Sequence, residues 1–137
     1  MAISPVTRDS FTADFFDAMR RGVFLLCRRR STGEYLDPAT LTARPGDSDI
    51  EYAPAAGGAR VVSWATLHGA KGDTGEPDRT VVGIVELDEG PWWWSQIVGV
   101  DPDGDLADLR VAVEFVASGP GADDELVAVF RPAPGDR

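Results

Sequence analysis

From residue 59 onward the chain alternates between apolar runs and turns rich in Gly, Pro and Asp. Ala59 to His68 alternates along its length and carries Val61, Val62, Trp64 and Thr66. Thr80 to Leu87 is almost continuously apolar, the pattern of a strand covered on both faces. Trp92 to Val100 follows a tight turn over Asp88, Glu89, Gly90 and Pro91. Leu109 to Val116 alternates cleanly, and Glu125 to Pro132 closes the series. Five strands with little helix between them predict a small closed β-barrel or a sandwich, and five is the strand number of the OB-fold. The polar stretches 71–78 and 118–124 join the first two and the last two strands, the connections that frame the ligand face of an OB-fold. No period recurs, which excludes a propeller or a solenoid.

The pattern upstream is different. Phe11, Phe15, Phe16 and Met19 fall on one stripe at helical spacing, so Ser10 to Gly22 predicts a helix. Ser10 or Thr12 can cap its start, Asp14 suits its first turn, and Arg20, Arg21 and Gly22 suit its end. Residues 23–57 form a turn-rich stretch with two short apolar patches, Val23 to Leu26 and Tyr35 with Leu36, punctuated by Pro38, Pro45, Gly46, Pro54 and Gly57. The expected organisation is a helical segment over 1–22, a ribbon-like segment over 23–57 and a barrel over 58–137.

Charge narrows the classes of partner. The chain's 137 residues include 23 acidic and 13 basic side chains, a net charge of −10. Such a surface repels a phosphate backbone, so nucleic-acid binding is not expected. The basic residues cluster once, at Arg28, Arg29 and Arg30 with Arg20 and Arg21 nearby. That cluster is either a solvated turn or a receptor for a phosphorylated cofactor or an acidic partner. One cysteine excludes an intrachain disulfide. Met1 to Asp9 breaks any leader-like run, and no apolar stretch reaches membrane length, so a cytoplasmic protein without a membrane partner is expected.

Candidate chemistry is sparse. Phe24 to Pro38 reads like one half of a small zinc ribbon, and the turn over Leu41 to Ser48 reads like the other. A tetrahedral zinc site needs four thiolate or imidazole ligands. The chain holds one cysteine, Cys27, and one histidine, His68, so no metal is expected and the loops must be held by packing. Asp101 to Asp108 resembles a calcium loop only superficially, lacking the bidentate glutamate and the flanking helices. His68 ends a strand and opens onto the longest polar loop beside Lys71; it is a hydrogen-bonded strand end or a ligand contact, with no placed nucleophile beside it. No catalytic set can be assembled. Trp92 and Trp94 face one way on a strand and Trp93 the other, so three adjacent indoles suggest a partner surface. Phe15 and Phe16 belong either to the core or to that surface.

Five segments occur in one characteristic order: Phe15 to Leu26, Val62 to His68, Val81 to Pro91, Ile97 to Asp103, and Val129 to Ala133. Together they resemble the bacterial and archaeal family of zinc-ribbon plus OB-fold proteins associated with acyl-CoA metabolism, a former domain-of-unknown-function family. The resemblance spans residues 10–133. It implies a helix, a rubredoxin-like ribbon and a five-stranded OB-fold, a mainly β protein. Arg29 and Thr32 stand where the family's first cysteine pair would be, and Leu41 and Arg44 near the second, with Cys27 outside the pattern; the ribbon is degenerate and metal-free in this reading. The resemblance further implies an accessory subunit beside a thiolase-like, lipid-transfer-protein-type enzyme, as in steroid side-chain retro-aldolase complexes, or beside a MaoC-type enoyl-CoA hydratase. A stand-alone acyl-CoA or lipid-binding module is the rival reading. The partner subunit would hold the catalytic residues of a hetero-oligomer acting on an acyl-CoA, and this chain would bind no cofactor of its own. His68, Lys71, Arg29 and Arg30 are then the candidate contacts to substrate or CoA, and Phe15, Phe16, Trp92, Trp93 and Trp94 the candidate partner interface.

Overall fold

The computed structural model describes residues 13–36, 48–71, 77–119, 121 and 125–134. Helix α1 spans Ala13–Arg20 and buries Phe16, Ala18 and Met19. Its end is closed by Gly22, whose φ of 77° suits the left-handed cap, with the Gly22 and Val23 amides donating to the Met19 and Ala18 carbonyls. Arg20 then reaches the buried Glu125 carboxylate at 3.0 Å, tying the helix end to the last strand's entry. The predicted start of the helix, with Ser10, Phe11 and Thr12, lies outside the described residues.

Three strands follow: β1 over Phe24–Arg29, β2 over Tyr35–Leu36 and β3 over Ile50–Ala55. They form an antiparallel sheet in the order β2-β1-β3. The turn-rich reading of 23–57 missed β3. Its Pro54 argues against a strand in sequence, yet β3 lies at the sheet's edge, where Pro54 faces Leu25 and its missing N–H removes no outer ladder bond.

The five strands expected from the pattern are all present: β4 over Gly58–Lys71, β5 over Pro77–Leu87, β6 over Trp92–Ile97, β7 over Arg110–Ala117 and β8 over Leu126–Pro132. They close into a barrel in the order β4-β5-β6-β8-β7, with β4 pairing β7. Every ladder is antiparallel except β6 with β8, where Ile97 pairs Phe130. This is the five-stranded OB-fold, and the protein is mainly β. Among the described residues no helix is long and apolar enough to cross a membrane.

The β4–β5 hairpin reaches beyond the predicted limits, to Lys71 and Pro77. A bulge between Val61 and Ser63 bends β4 as it enters the barrel wall. Opposite the bend, Gly83 lets the strands close up: a Cβ there would sit 2.6 Å from the Ser63 carbonyl oxygen and 2.8 Å from Ile97 Cδ1.

One core joins the sheet to the barrel. Phe24 and Leu26 of β1 belong to the same buried cluster as Val61, Val81, Val85, Leu87, Ile97, Val111 and Phe130. The Phe24 ring meets those of Trp93, Phe130, Phe115 and Phe15, with centroids 5.0, 6.2, 6.3 and 6.3 Å away. Burying one such side chain stabilises the fold by about 1.5–3 kcal/mol, and edge-to-face aromatic pairs add about 1 kcal/mol each.

Candidate functional site

The place where a zinc ribbon would carry its first pair of thiolates is the turn between β1 and β2. Here Asp49 does the holding. Its carboxylate accepts the Ser31 amide at 3.1 Å and the Ser31 hydroxyl at 2.8 Å, and lies 3.6 Å from the Arg29 guanidinium. Its backbone carbonyl accepts the Arg30 amide at 2.7 Å. The Ser31 hydroxyl hydrogen bond, followed by its amide and Arg29, holds the Asp49 carboxyl below its usual range against an opposing desolvation. Thr32 Oγ1 accepts the Glu34 amide, and Gly33 takes a φ of 73° to complete the turn. A guanidinium and a threonine hydroxyl engaged in this way are not the donor set of a tetrahedral zinc site, and Arg29 cannot lose its charge to become one. Cys27 faces Leu36 and Tyr52 across the ladders, and burial pushes its thiol up, away from the thiolate a metal needs. Among the described residues no group of three or more His, Cys, Asp or Glu side chains could hold a metal. Leu41 and Arg44 lie outside the described residues.

The basic cluster is answered by acid on the neighbouring strand. Arg28 donates to Glu51 at 2.6 and 2.9 Å, and Arg30 lies 3.9 Å from the same carboxylate. Arg29 and Arg30 therefore already face Asp49 and Glu51. Exposed ion pairs of this kind contribute about 0–1 kcal/mol each and rearrange readily.

His68 is exposed on the outer half of β4, in register with Arg79. Lys71 pairs through its backbone with Pro77, and its side chain lies outside the description. The basic cluster belongs to the three-stranded sheet and His68 to the barrel hairpin, so the four candidate ligand contacts fall on two separate sheets.

The aromatic candidates separate in the same way. Phe16 is buried, and Phe15 stacks on Trp93 with centroids 5.7 Å apart. Phe15, Phe16 and Trp93 thus pin α1 and β1 against the barrel. Trp92 and Trp94 alternate outward as the strand period requires, 48% and 77% exposed. Trp92 Nε1 donates to Glu86 at 3.4 Å, while Trp94 stands open.

Sequence reasoning missed the surface beside Trp94. The apolar run Thr80 to Leu87 reads as covered on both faces, but only Val81, Val85 and Leu87 are buried; Val82 and Ile84 point outward and are half-buried. With Ser63, Trp64, Ala65 and Trp94 they line an open groove of about 470 Å³. The sequence misleads here because Ser63, Ala65 and Leu67 share the two-residue phase of buried Val61, and the bulge after Val61 turns them outward.

These features define a class: an OB-fold barrel with a docked three-stranded sheet, no assembled catalytic constellation among the described residues, and an open apolar outer face. Residues 52–116 match the family described as the ChsH2 C-terminal OB-fold domain. A chain of the solved structure described as an Ltp2-ChsH2 (DUF35) aldolase is similar over 93% of this chain and 96% of that one, at 26% identity and a TM-score of 0.71. No curated protein sequence matches. The family match over residues 52–116 and the likeness to the aldolase chain agree with the resemblance seen in the sequence.

Proposed function

We propose that this chain is the non-catalytic accessory subunit of a thiolase-like acyl-CoA enzyme, of the retro-aldolase class that shortens steroid-type side chains. The carrying observation is the likeness to a chain of the Ltp2-ChsH2 aldolase along nearly the whole length of both chains. Retro-aldol cleavage needs a base to remove a hydroxyl proton and a group to stabilise the resulting carbanion. The described residues assemble no such pair, so in this reading both belong to the partner, and this chain orders the partner's site and borders the acyl-CoA channel. His68, exposed at the outer half of β4, is its candidate contact to substrate.

The test is reconstitution. The tagged chain, expressed in its own cells, should capture a thiolase-like subunit identified by mass spectrometry. The isolated chain should cleave no β-hydroxyacyl-CoA, and the pair should. In the complex, His68→Ala should raise KM more than it lowers kcat, as loss of uniform binding does. Cleavage by the chain alone, or capture without any thiolase-like subunit, would overturn the reading.

A further inference from the structure

Antiparallel sheets with one face in the core usually present polar residues on the other. On the outer wall of this barrel, a stretch of β4, β5 and β6 between the Arg60–Glu86 pair and Gln96 does not. Across three strands the outward positions fall in register: Ser63 opposite Ile84 opposite Trp94, and Ala65 opposite Val82. Leu67 extends the row along β4 at 54% exposure, and Trp94 forms the groove's wall at 77%. The small Ser63 and Ala65 leave the space that Trp94 encloses, a groove of about 470 Å³ that would take one bulky apolar side chain.

The charges flanking the groove are paired, and in two of the three pairs the carboxylate is the more exposed partner. At one end Arg60 is held by Glu86 and Asp108; beyond the other, Arg79 is held by Asp103. In these pairs the Asp108 and Asp103 side chains are 80% and 74% exposed, while Arg60 and Arg79 are 41% and 37%. Asp108 and Asp103 are thus more exposed than the arginines that hold them, on a chain of net charge −10. A second copy of this chain would set acidic rim against acidic rim, so the charge selects against self-association.

We propose that this outer face of β4, β5 and β6 is the docking surface for the partner enzyme subunit, which places a bulky apolar side chain in the groove beside Trp94 and surrounds it with arginine and lysine. The proposal rests on the accessory-subunit reading and adds to it a surface and a partner chemistry. A central aromatic anchor in a desolvated notch with a charged rim is the arrangement that concentrates binding energy in a few residues.

The experiment uses the full chain co-expressed with the thiolase-like subunit captured above, with affinity measured by calorimetry. Trp94→Ala and Ile84→Asp should each weaken binding by about thirtyfold or more, the loss expected of an interface anchor. The Trp94→Ala chain should keep its melting temperature, because the indole it loses is largely exposed, and this separates lost docking from lost folding. Raising the salt concentration should slow association of the wild-type pair, since complementary charge acts chiefly on the encounter rate. Full affinity in both variants would overturn the docking surface while leaving the accessory reading intact. So would a homodimer that Trp94→Ala dissociates, or an acyl-CoA that quenches Trp94 in the chain alone. Failure of the wild-type chain to bind any thiolase-like subunit would instead overturn the functional reading on which the proposal stands.

Discussion

A single carboxylate shows how this sequence holds the turn between β1 and β2. Asp49 gathers Ser31, Arg29 and the Arg30 amide, contacts that cross-link the turn after β1 to the entry of β3. Its pKa is depressed in the folded chain, first by the Ser31 hydroxyl. The sign follows by linkage: a carboxyl depressed on folding stabilises the fold above its unfolded pKa of about 3.9, and that contribution disappears as pH falls through the lower folded value. Asp49→Asn should therefore lower the melting temperature at pH 7, and the difference from wild type should shrink as melts are repeated at progressively lower pH below about 4. A difference that stays constant over that range would mean that Asp49 acts through shape and not through its charge. Nothing in the sequence marks Asp49, because its partners Arg29, Arg30 and Ser31 lie far back along the chain, at the end of β1 and in the turn after it.

At the scale of elements, the strands of the barrel were legible because each is a β-branched or aromatic run bounded by Gly, Pro and Asp. The sheet before it was not. β2 has only two residues, and β3 carries Pro54 at an edge that tolerates it. The roles of the aromatic side chains were hidden for a related reason, since Trp93 and Trp94 are adjacent in sequence and differ only in which side of the wall they take. Phe24 is where the elements meet: its ring touches Phe15 of α1, Trp93 of β6, Phe115 of β7 and Phe130 of β8. Phe24→Ala should cost about 3–5 kcal/mol in chemical denaturation, the range for large-to-small changes in an aromatic core. Hydrogen exchange should show that α1 and β1 lose protection before the β5–β6 ladder does. Uniform loss of protection, or a cost below about 1 kcal/mol, would show that the aromatic joint does not carry the attachment.

For the molecule as a whole, the question is what holds the three-stranded sheet in place. A small sheet that cannot bury enough apolar surface ordinarily needs a metal or a disulfide. This one is instead merged with its neighbour, because Phe24 and Leu26 are buried in the barrel's own cluster and β3 runs into β4 with only Ala56 and Gly57 between. The Ala56 amide donates to Glu89 of the β5–β6 turn, and the Val113 amide of β7 donates to the Gly57 carbonyl, so even the connection is fastened to the barrel. Two consequences can be measured on one preparation. Protein purified without chelators should carry well under one zinc per chain, and excess chelator should leave its melting curve unchanged, since a structural zinc would be a large part of the folding free energy. Calorimetry should give a single transition whose van't Hoff and calorimetric enthalpies agree, as a shared core requires. One tightly held zinc whose removal melts the sheet, or two separable transitions, would show that the three-stranded sheet is an independent unit with a stabilising device of its own.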